Sequence, residues 1–359
     1  VGGMQKLSQR LLAEIRQRRE VIAIVYDCPR LLLAPFLCWI MIRLLWELVC
    51  SRREIQVVHF GDPLLALVAP LCTWWRVPTV VTVHGLDITY QNPLYQRLLA
   101  AGLHHVDVLV CISHAAEEAC RRRGSPPSKC TVITPGVDPV PMVTATMAQA
   151  ARDELGRRLG LDLGEAFVLI TVGRLVRRKG VAWFIEAVLP ILIQKMPTLY
   201  YLVVGDGPDR EVVERTIRRA GLTDKIVLTG QVDNDTLRMC LVAADIFVMP
   251  NIPITHDMEG FGLVALEAAV MGLPVVAANL DGIRDAITSG ENGLLAPAGD
   301  PQAFADILLD LAQNPLRRNE FGKRAAAYTA RRHSWPAMAE AYLALYENLA
   351  ASEVVWSER

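Results

Sequence analysis

The sequence predicts an α/β protein made of two Rossmann-like domains, each a doubly wound parallel sheet. Three observations carry this. Short apolar runs alternate with helical stretches in both halves of the chain, the pattern of βαβ units rather than of hairpins. The 359 residues suffice for two domains of ordinary size, each burying its own core. Between the halves, residues 134–150 are rich in Pro, Val, Thr and Ala without clear period, and the linker is placed there.

The elements follow in order. The chain begins at Val1, runs through Gly2-Gly3-Met4-Gln5 and shows a helical pattern to Arg19. Apolar runs read as strands at 21–26, 57–60, 79–83, 106–112 and 131–133, with helical stretches near 37–50, 63–75, 93–103 and 114–123. A second series reads as strands at 167–172, 200–205, 226–229, 246–250, 275–278 and 293–296. Residues 334–350 form a closing helix. The expected domains are 1–145 and 146–333, facing each other across a cleft, with the closing helix packed back on the first. Ligands of such sheets sit outside the carboxyl ends of the strands.

Composition narrows the function classes. Apolar residues make up 52% and charged residues 21%, with a mean hydropathy of +0.28, so the chain is globular and somewhat greasy. A formal charge of −1 gives no reason to expect a nucleic-acid partner. Residues 1–145 hold 15 Lys/Arg against 11 Asp/Glu. That mild excess suits an anionic acceptor or membrane, and equally a solvated surface. The eight cysteines are scattered without a Cys-x-x-Cys pair, which reads as reduced core cysteine of a cytoplasmic protein. No signal peptide is visible. The longest apolar run, 31–42, has twelve residues including a proline, too few to cross a bilayer. The stretch 36–50 is apolar on nearly every side and is followed by Arg52-Arg53. Burial is its favoured reading. The sharper alternative is peripheral contact with the inner face of a membrane through 36–53, with Trp39 and Trp46 at the interface.

The run Glu259-Gly260-Phe261-Gly262-Leu263-Val264-Ala265-Leu266-Glu267 is the most informative segment. A loop carboxylate precedes a Gly-Phe-Gly turn and a helical pattern from Leu263 to Met271. Free N–H groups at such a helix start attract anions and hydroxyl oxygens. The second carboxylate lies at most ~12 Å further on if the stretch is helical. That separation suits a ligand with polyols at both ends and phosphate between, as in a nucleotide sugar. Gly173 to Gly180 follows the strand 167–172 and contains Arg174 and Lys179, a guanidinium and an ammonium suited to clamp a diphosphate. A solvated basic loop is the plain alternative. Gly205-Asp206-Gly207-Pro208 ends the next strand; it is too short for a dinucleotide fingerprint and reads as a turn lining the nucleotide site.

His84 follows the strand 79–83, where an α/β domain binds ligands, and can hydrogen-bond a reacting sugar. It can equally be a satisfied loop histidine. His59 and His104 are read as structural. Asp233-Asn234-Asp235 matches a metal-binding Asp-x-Asp pattern, but its place before a helix makes an N-cap the better account, so no metal site is expected.

Together these residues resemble the retaining nucleotide-sugar glycosyltransferases of family 4, which have the two-domain GT-B architecture. Glu259 and Glu267 match the family's Glu-x7-Glu motif. The resemblance implies that Glu259 contacts the donor sugar's hydroxyls while Phe261, Gly262 and Leu263 present backbone N–H groups. It gives the ribose to Glu267 and the diphosphate to Arg174 and Lys179, with Gly173 and Gly205 in the donor site and Val232 near the base. His84 matches the histidine of the N-terminal domain, and Gly2-Gly3 its glycine-rich loop. Family members place a strand before that loop and this chain begins at it. A truncated sequence, or a sheet short of one strand, is therefore expected, leaving the neighbouring strands unpaired.

The implied activity is metal-independent transfer of a hexose from a nucleoside diphosphate sugar to a hydroxyl of a lipid, a glycan or a small metabolite, with no cofactor. The alternatives are a nucleotide-sugar epimerase of the same architecture, and a catalytically silent nucleotide-sugar-binding subunit. The absent dinucleotide fingerprint disfavours a nicotinamide dehydrogenase.

Overall fold

The computed structural model describes residues 3–25, 33–51 and 54–357. The chain forms two compact units. One runs to Gly136 and resumes at Trp335; the other is Val137–Ser334.

The N-terminal unit carries helices α1 (Gly3–Arg16), α2 (Leu33–Cys50), α3 (Ala69–Trp74), α4 (Leu86–Thr89), α5 (Pro93–His104) and α6 (His114–Arg122). Its sheet is β1 (Val58–Phe60), β2 (Thr79–Val83), β3 (Val108–Cys111) and β4 (Cys130–Val132), parallel and in sequence order. Every residue of β2 is buried, as expected for a strand covered on both faces. The predicted helix 63–75 divides into a 3-10 turn, Pro63–Val68, and α3.

The final helix, Trp335–Ser357, belongs to this unit and is tied to its sheet by a chain of polar side chains. The His59 ring nitrogens lie 2.8 Å from Thr82 Oγ1 and 2.8 Å from Tyr346 Oη, and Tyr342 Oη is 2.9 Å from Thr82 Oγ1. Burial, and then the nearby His84, lower the His59 pKa to about 4. The structural role expected for His59 is thus specific: it couples β1 and β2 to a helix more than 280 residues away in sequence.

Five expectations change. Residues 21–25 form no strand; Ile22 and Val25 are exposed, and an apolar run becomes a strand only where a neighbour accepts its ladder. Gly3 opens α1 instead of lying in a loop, and Gly2 falls outside the described residues. Residues 145–150, expected in the linker, are helical. Thr144 caps them by accepting the Met147 N–H at 3.2 Å, and their alanines favour helix. Finally, α2 is not buried all round. Ile40, Leu44 and Leu48 face the core, whereas Trp39 (50%), Ile42 (65%), Trp46 (64%) and Val49 (62%) lie open to solvent. No helix among the described residues is long and apolar enough to cross a membrane. The described cysteines are free; Cys38 and Cys50 lie exposed on α2, not in the core, and Cys28 is outside the described residues.

The C-terminal unit holds α7 (Ala145–Leu159), β5 (Phe167–Val172), α8 (Val181–Trp183), which runs through a π turn into α9 (Leu189–Lys195), β6 (Leu199–Val204), α10 (Arg210–Ala220) and β7 (Ile226–Gly230). Then come α11 (Asn234–Ala243), β8 (Ile246–Met249), α12 (Leu263–Val270), β9 (Val275–Asn279), α13 (Ile283–Ala286), β10 (Leu294–Pro297), α14 (Pro301–Gln313) and α15 (Pro315–Arg332). The six strands are parallel in the order β10-β9-β8-β5-β6-β7. A buried hydroxyl relay crosses the centre: Tyr201 Oη donates to Thr171 Oγ1 at 2.7 Å, and Thr171 donates to the Val248 carbonyl at 2.6 Å. It joins β6, β5 and β8 where β5 and β8 share only two paired positions.

Candidate functional site

Strand order places the site before any side chain is considered. From the neighbours β5 and β8 the chain winds outward in opposite directions, so the reversal point lies between them. Ligands of doubly wound sheets bind outside the strand carboxyl ends at that point. Two loops leave there, 173–180 after β5 and 250–262 after β8.

These loops bring together Lys179 and Glu259, with Nζ 2.7 Å from Oε2 and both side chains nearly buried. Arg178 Nε lies 3.5 Å from the same oxygen, and its Nη1 pairs with Asp257 at 2.9 Å. Asn251 Nδ2 donates to Oε2 at 3.0 Å. The Glu259 backbone is held as well: its N–H donates to Asp281 Oδ2 at 3.0 Å, and its carbonyl accepts from the Gly282 N–H at 3.0 Å. Burial pushes the Glu259 carboxyl pKa up, but Lys179 and then Arg178 outweigh it and hold the group below its ordinary range. Burial and the Glu259 charge raise Asp281.

Backbone geometry explains the glycines. Gly180 has φ +68°, and a Cβ there would come within 1.8 Å of the Pro250 carbonyl, so only glycine lets the two loops meet. At Gly205 a Cβ would lie 2.1 Å from the Gly173 carbonyl. At Gly173 a Cβ would lie 3.4 Å from the Lys179 Cε, so the glycine leaves that side chain room to pass over the backbone. The residues Gly173, Gly205, Lys179 and Glu259, expected in one site, are thus linked by contacts.

The other expected residues are placed as follows. Arg174 is exposed on the loop after β5. Val232 is half-buried just beyond β7. Phe261 is buried, its ring 6.0 Å from that of His333. Gly262 and Leu263 open α12, whose first turn has no side-chain cap, and Glu267 follows half-buried within that helix. His84, in the N-terminal unit, is buried; its Nε2 donates to the Gly61 carbonyl at 3.0 Å, and its Nδ1 has no partner among the described residues. Its backbone N–H is fixed by Asp87 Oδ2 at 2.8 Å. Asp233 is an N-cap, accepting the Thr236 N–H at 2.7 Å. Among the described residues no group of His, Cys, Asp and Glu is arranged to hold a metal ion.

Sequence reasoning missed Asn251, Asp257 and Asp281, and grouped Arg178 only with a basic loop. Asn251 stands directly after a strand end at the reversal point, a signal that was available. Asp281 carried none, because its role depends on β9 lying beside β8.

The arrangement offers a carboxylate acceptor, two cations and an uncapped helix start at one strand-end position. That set can hold hydroxyls beside a diphosphate and stabilise negative charge on a leaving phosphate.

Comparison with known proteins gives the family and the fold. Residues 5–140 match the family model described as Glycosyltransferase Family 4, and residues 166–314 match that of Glycosyl transferases group 1. The chain is 32% identical over 294 residues to D-inositol 3-phosphate glycosyltransferase of Corynebacterium urealyticum, covering 77% of this chain and 67% of that one. It is 35% identical over 175 residues to phosphatidyl-myo-inositol mannosyltransferase of Mycobacterium leprae, covering 49% of this chain and 44% of the relative, so less than half of that protein is matched. The crystal structure of Anabaena HepE in complex with UDP-glucose superposes with a TM-score of 0.77 over 97% of this chain and 96% of that one. At 19% identity that likeness speaks for the fold, which is GT-B.

Proposed function

We propose, for a chain that belongs to glycosyltransferase family 4 and is therefore a glycosyltransferase, that its C-terminal unit binds a nucleoside diphosphate sugar. The hexose passes to a hydroxyl acceptor with the anomeric configuration retained and without a metal ion. The observation that supports this best is the convergence of Lys179, Arg178 and Glu259 at the reversal point of the sheet.

In the proposed reaction the bond from the anomeric carbon to the diphosphate oxygen breaks, and the acceptor oxygen bonds to the same face of that carbon. The acceptor's proton passes to the departing diphosphate. Lys179, Arg174 and the α12 N–H groups stabilise the growing phosphate charge, a preorganised field that needs no reorganisation as the bond breaks. Glu259 orients the sugar through its hydroxyls, Glu267 takes the ribose, and Gly173, Gly205 and Val232 line the nucleotide. For His84 we propose a hydrogen bond to the reacting sugar; its partnerless Nδ1 supports that role. The epimerase and silent-subunit alternatives are not favoured, since relatives named above are transferases.

A thermal-shift screen with UDP, GDP, UDP-glucose and GDP-mannose tests the reading, because a ligand that binds only the folded state raises its stability by mass action. One nucleotide series should raise Tm in the presence of EDTA, and its sugar should be transferred with the anomeric configuration unchanged. No shift with any of the four, or inversion of the product, overturns it.

The acceptor is proposed to be membrane-borne, reached through the open face of α2. Trp39, Ile42, Trp46 and Val49 recur at helical spacing along it, and two tryptophans beside an apolar stripe suit a lipid interface. Arg52 and Arg53 lie outside the described residues. The double variant Trp39→Ser/Trp46→Ser should lower co-sedimentation with phosphatidylglycerol vesicles at least tenfold. Equal binding by wild type and variant sinks this assignment.

A further inference from the structure

Asn251 is completely buried in the loop two residues after β8, yet only half of its amide is used. Its Nδ2 donates to Glu259 Oε2 at 3.0 Å. A carboxylate can only accept, so the amide orientation is fixed by chemistry: the nitrogen faces Glu259 and Oδ1 faces away. Oδ1 then finds no hydrogen-bond partner among the described residues. Buried polar atoms are normally paired, and an unpaired one costs stability that an apolar side chain of similar size would not. Packing therefore does not account for an asparagine here. Its contact with Glu259 does.

The contacts on Glu259 are lopsided. Among the described residues, Lys179, Arg178 and Asn251 all approach Oε2, so Oε1 is the oxygen left to a ligand. Two of the three groups are cations beside the proposed diphosphate position, where an incoming phosphate competes for them. Asn251 is neutral and offers nothing comparable to a phosphate. We propose that Asn251 is a positioning residue: it keeps Oε2 tethered when the donor draws Lys179 away, and so aims Oε1 at a donor-sugar hydroxyl. This rests on the function proposed above and adds a residue that the family resemblance did not assign.

The role implies a split between binding and turnover. Asn251→Ala should lower kcat by about ten- to a hundredfold, the size of a lost hydrogen bond to a charged group. The Tm shift produced by UDP or GDP, whichever stabilises wild type, should be unchanged. Asn251→Asp is nearly isosteric and sets a carboxyl against Glu259, with Lys179 and Arg178 on the same oxygen and Asp281 and Asp257 at the edges of the cluster. Its turnover should be lowest at alkaline pH and recover as the pH falls and the carboxyl pair takes up one proton, while wild type shows no such recovery.

A merely structural asparagine gives another pattern, with Tm, nucleotide binding and turnover falling together and the wild-type pH profile retained in both variants. That pattern, or turnover within twofold of wild type in both, overturns the proposal. If Glu259→Gln loses turnover while both Asn251 variants keep it, the site assignment stands and the positioning role fails. If wild type binds neither nucleotide, both fail.

Discussion

Glu259→Gln and Lys179→Ala should each reduce transfer by about 10²–10³-fold or more, the scale of removing one preorganised contact from a reacting centre. The two losses differ in kind. In the free protein Glu259 and Lys179 satisfy each other at 2.7 Å. Removing the Glu259 charge frees Lys179 for phosphate, so Glu259→Gln should bind UDP or GDP at least as tightly as wild type while its kcat collapses. Lys179→Ala should lose nucleotide affinity and turnover together, and it leaves a buried carboxylate held by Asn251 at 3.0 Å and by the Arg178 cation at 3.5 Å. The double variant should lose less than the two single losses multiplied, because the groups act as a unit. Steady-state kinetics with nucleotide thermal shifts, and circular dichroism to confirm folding, check this. Near-wild-type turnover of both single variants rejects the site.

Acidification should weaken the N-terminal unit through His59. Its pKa in the folded chain, about 4, lies below the ordinary 6.5, so the unfolded chain takes up the proton first as the pH falls. The stabilisation is complete above pH 6.5, declines as the pH drops toward 4 and is flat below that. Each pKa unit corresponds to about 1.4 kcal/mol, and the ring is only partly buried, so the loss is at most about 3 kcal/mol. His59→Gln, which has no charge to gain, should be less stable at pH 7 and should lose less between pH 7 and 4. Denaturant titrations at both pH values measure the difference; parallel losses in wild type and variant refute the assignment to His59.

The helical wheel of α2 shows why some expectations failed. Its sequence is apolar on nearly every side, and that pattern alone reads as burial. The described core reaches only the Ile40, Leu44 and Leu48 face, and no sequence signal tells which side of a wholly apolar helix a neighbour will cover. Residues 21–25 illustrate the same limit for strands. Propensity was present, and a pairing edge was not.

The loops of the proposed donor site behaved differently. Gly173 and Gly205 could be named from the sequence because each directly follows an apolar strand, and Lys179 and Glu259 because each stands in a loop that leads from a strand into a helix, on the side where a doubly wound sheet binds ligands. The period of the apolar residues fixed the strands of the C-terminal half to within about a residue of the observed ends.

What the linear order of residues determined, by itself, is the layered α/β architecture and the chemistry carried at the strand ends. Hydrophobic period and glycine placement are local properties, legible one segment at a time. What only the tertiary structure decided is which strands are neighbours, and hence that Lys179 pairs with Glu259 and that Asn251 and Asp281 hold that carboxylate in place. Those contacts cross between strands far apart in sequence, and their energies depend on burial and mutual distance, which exist only once the sheet has formed.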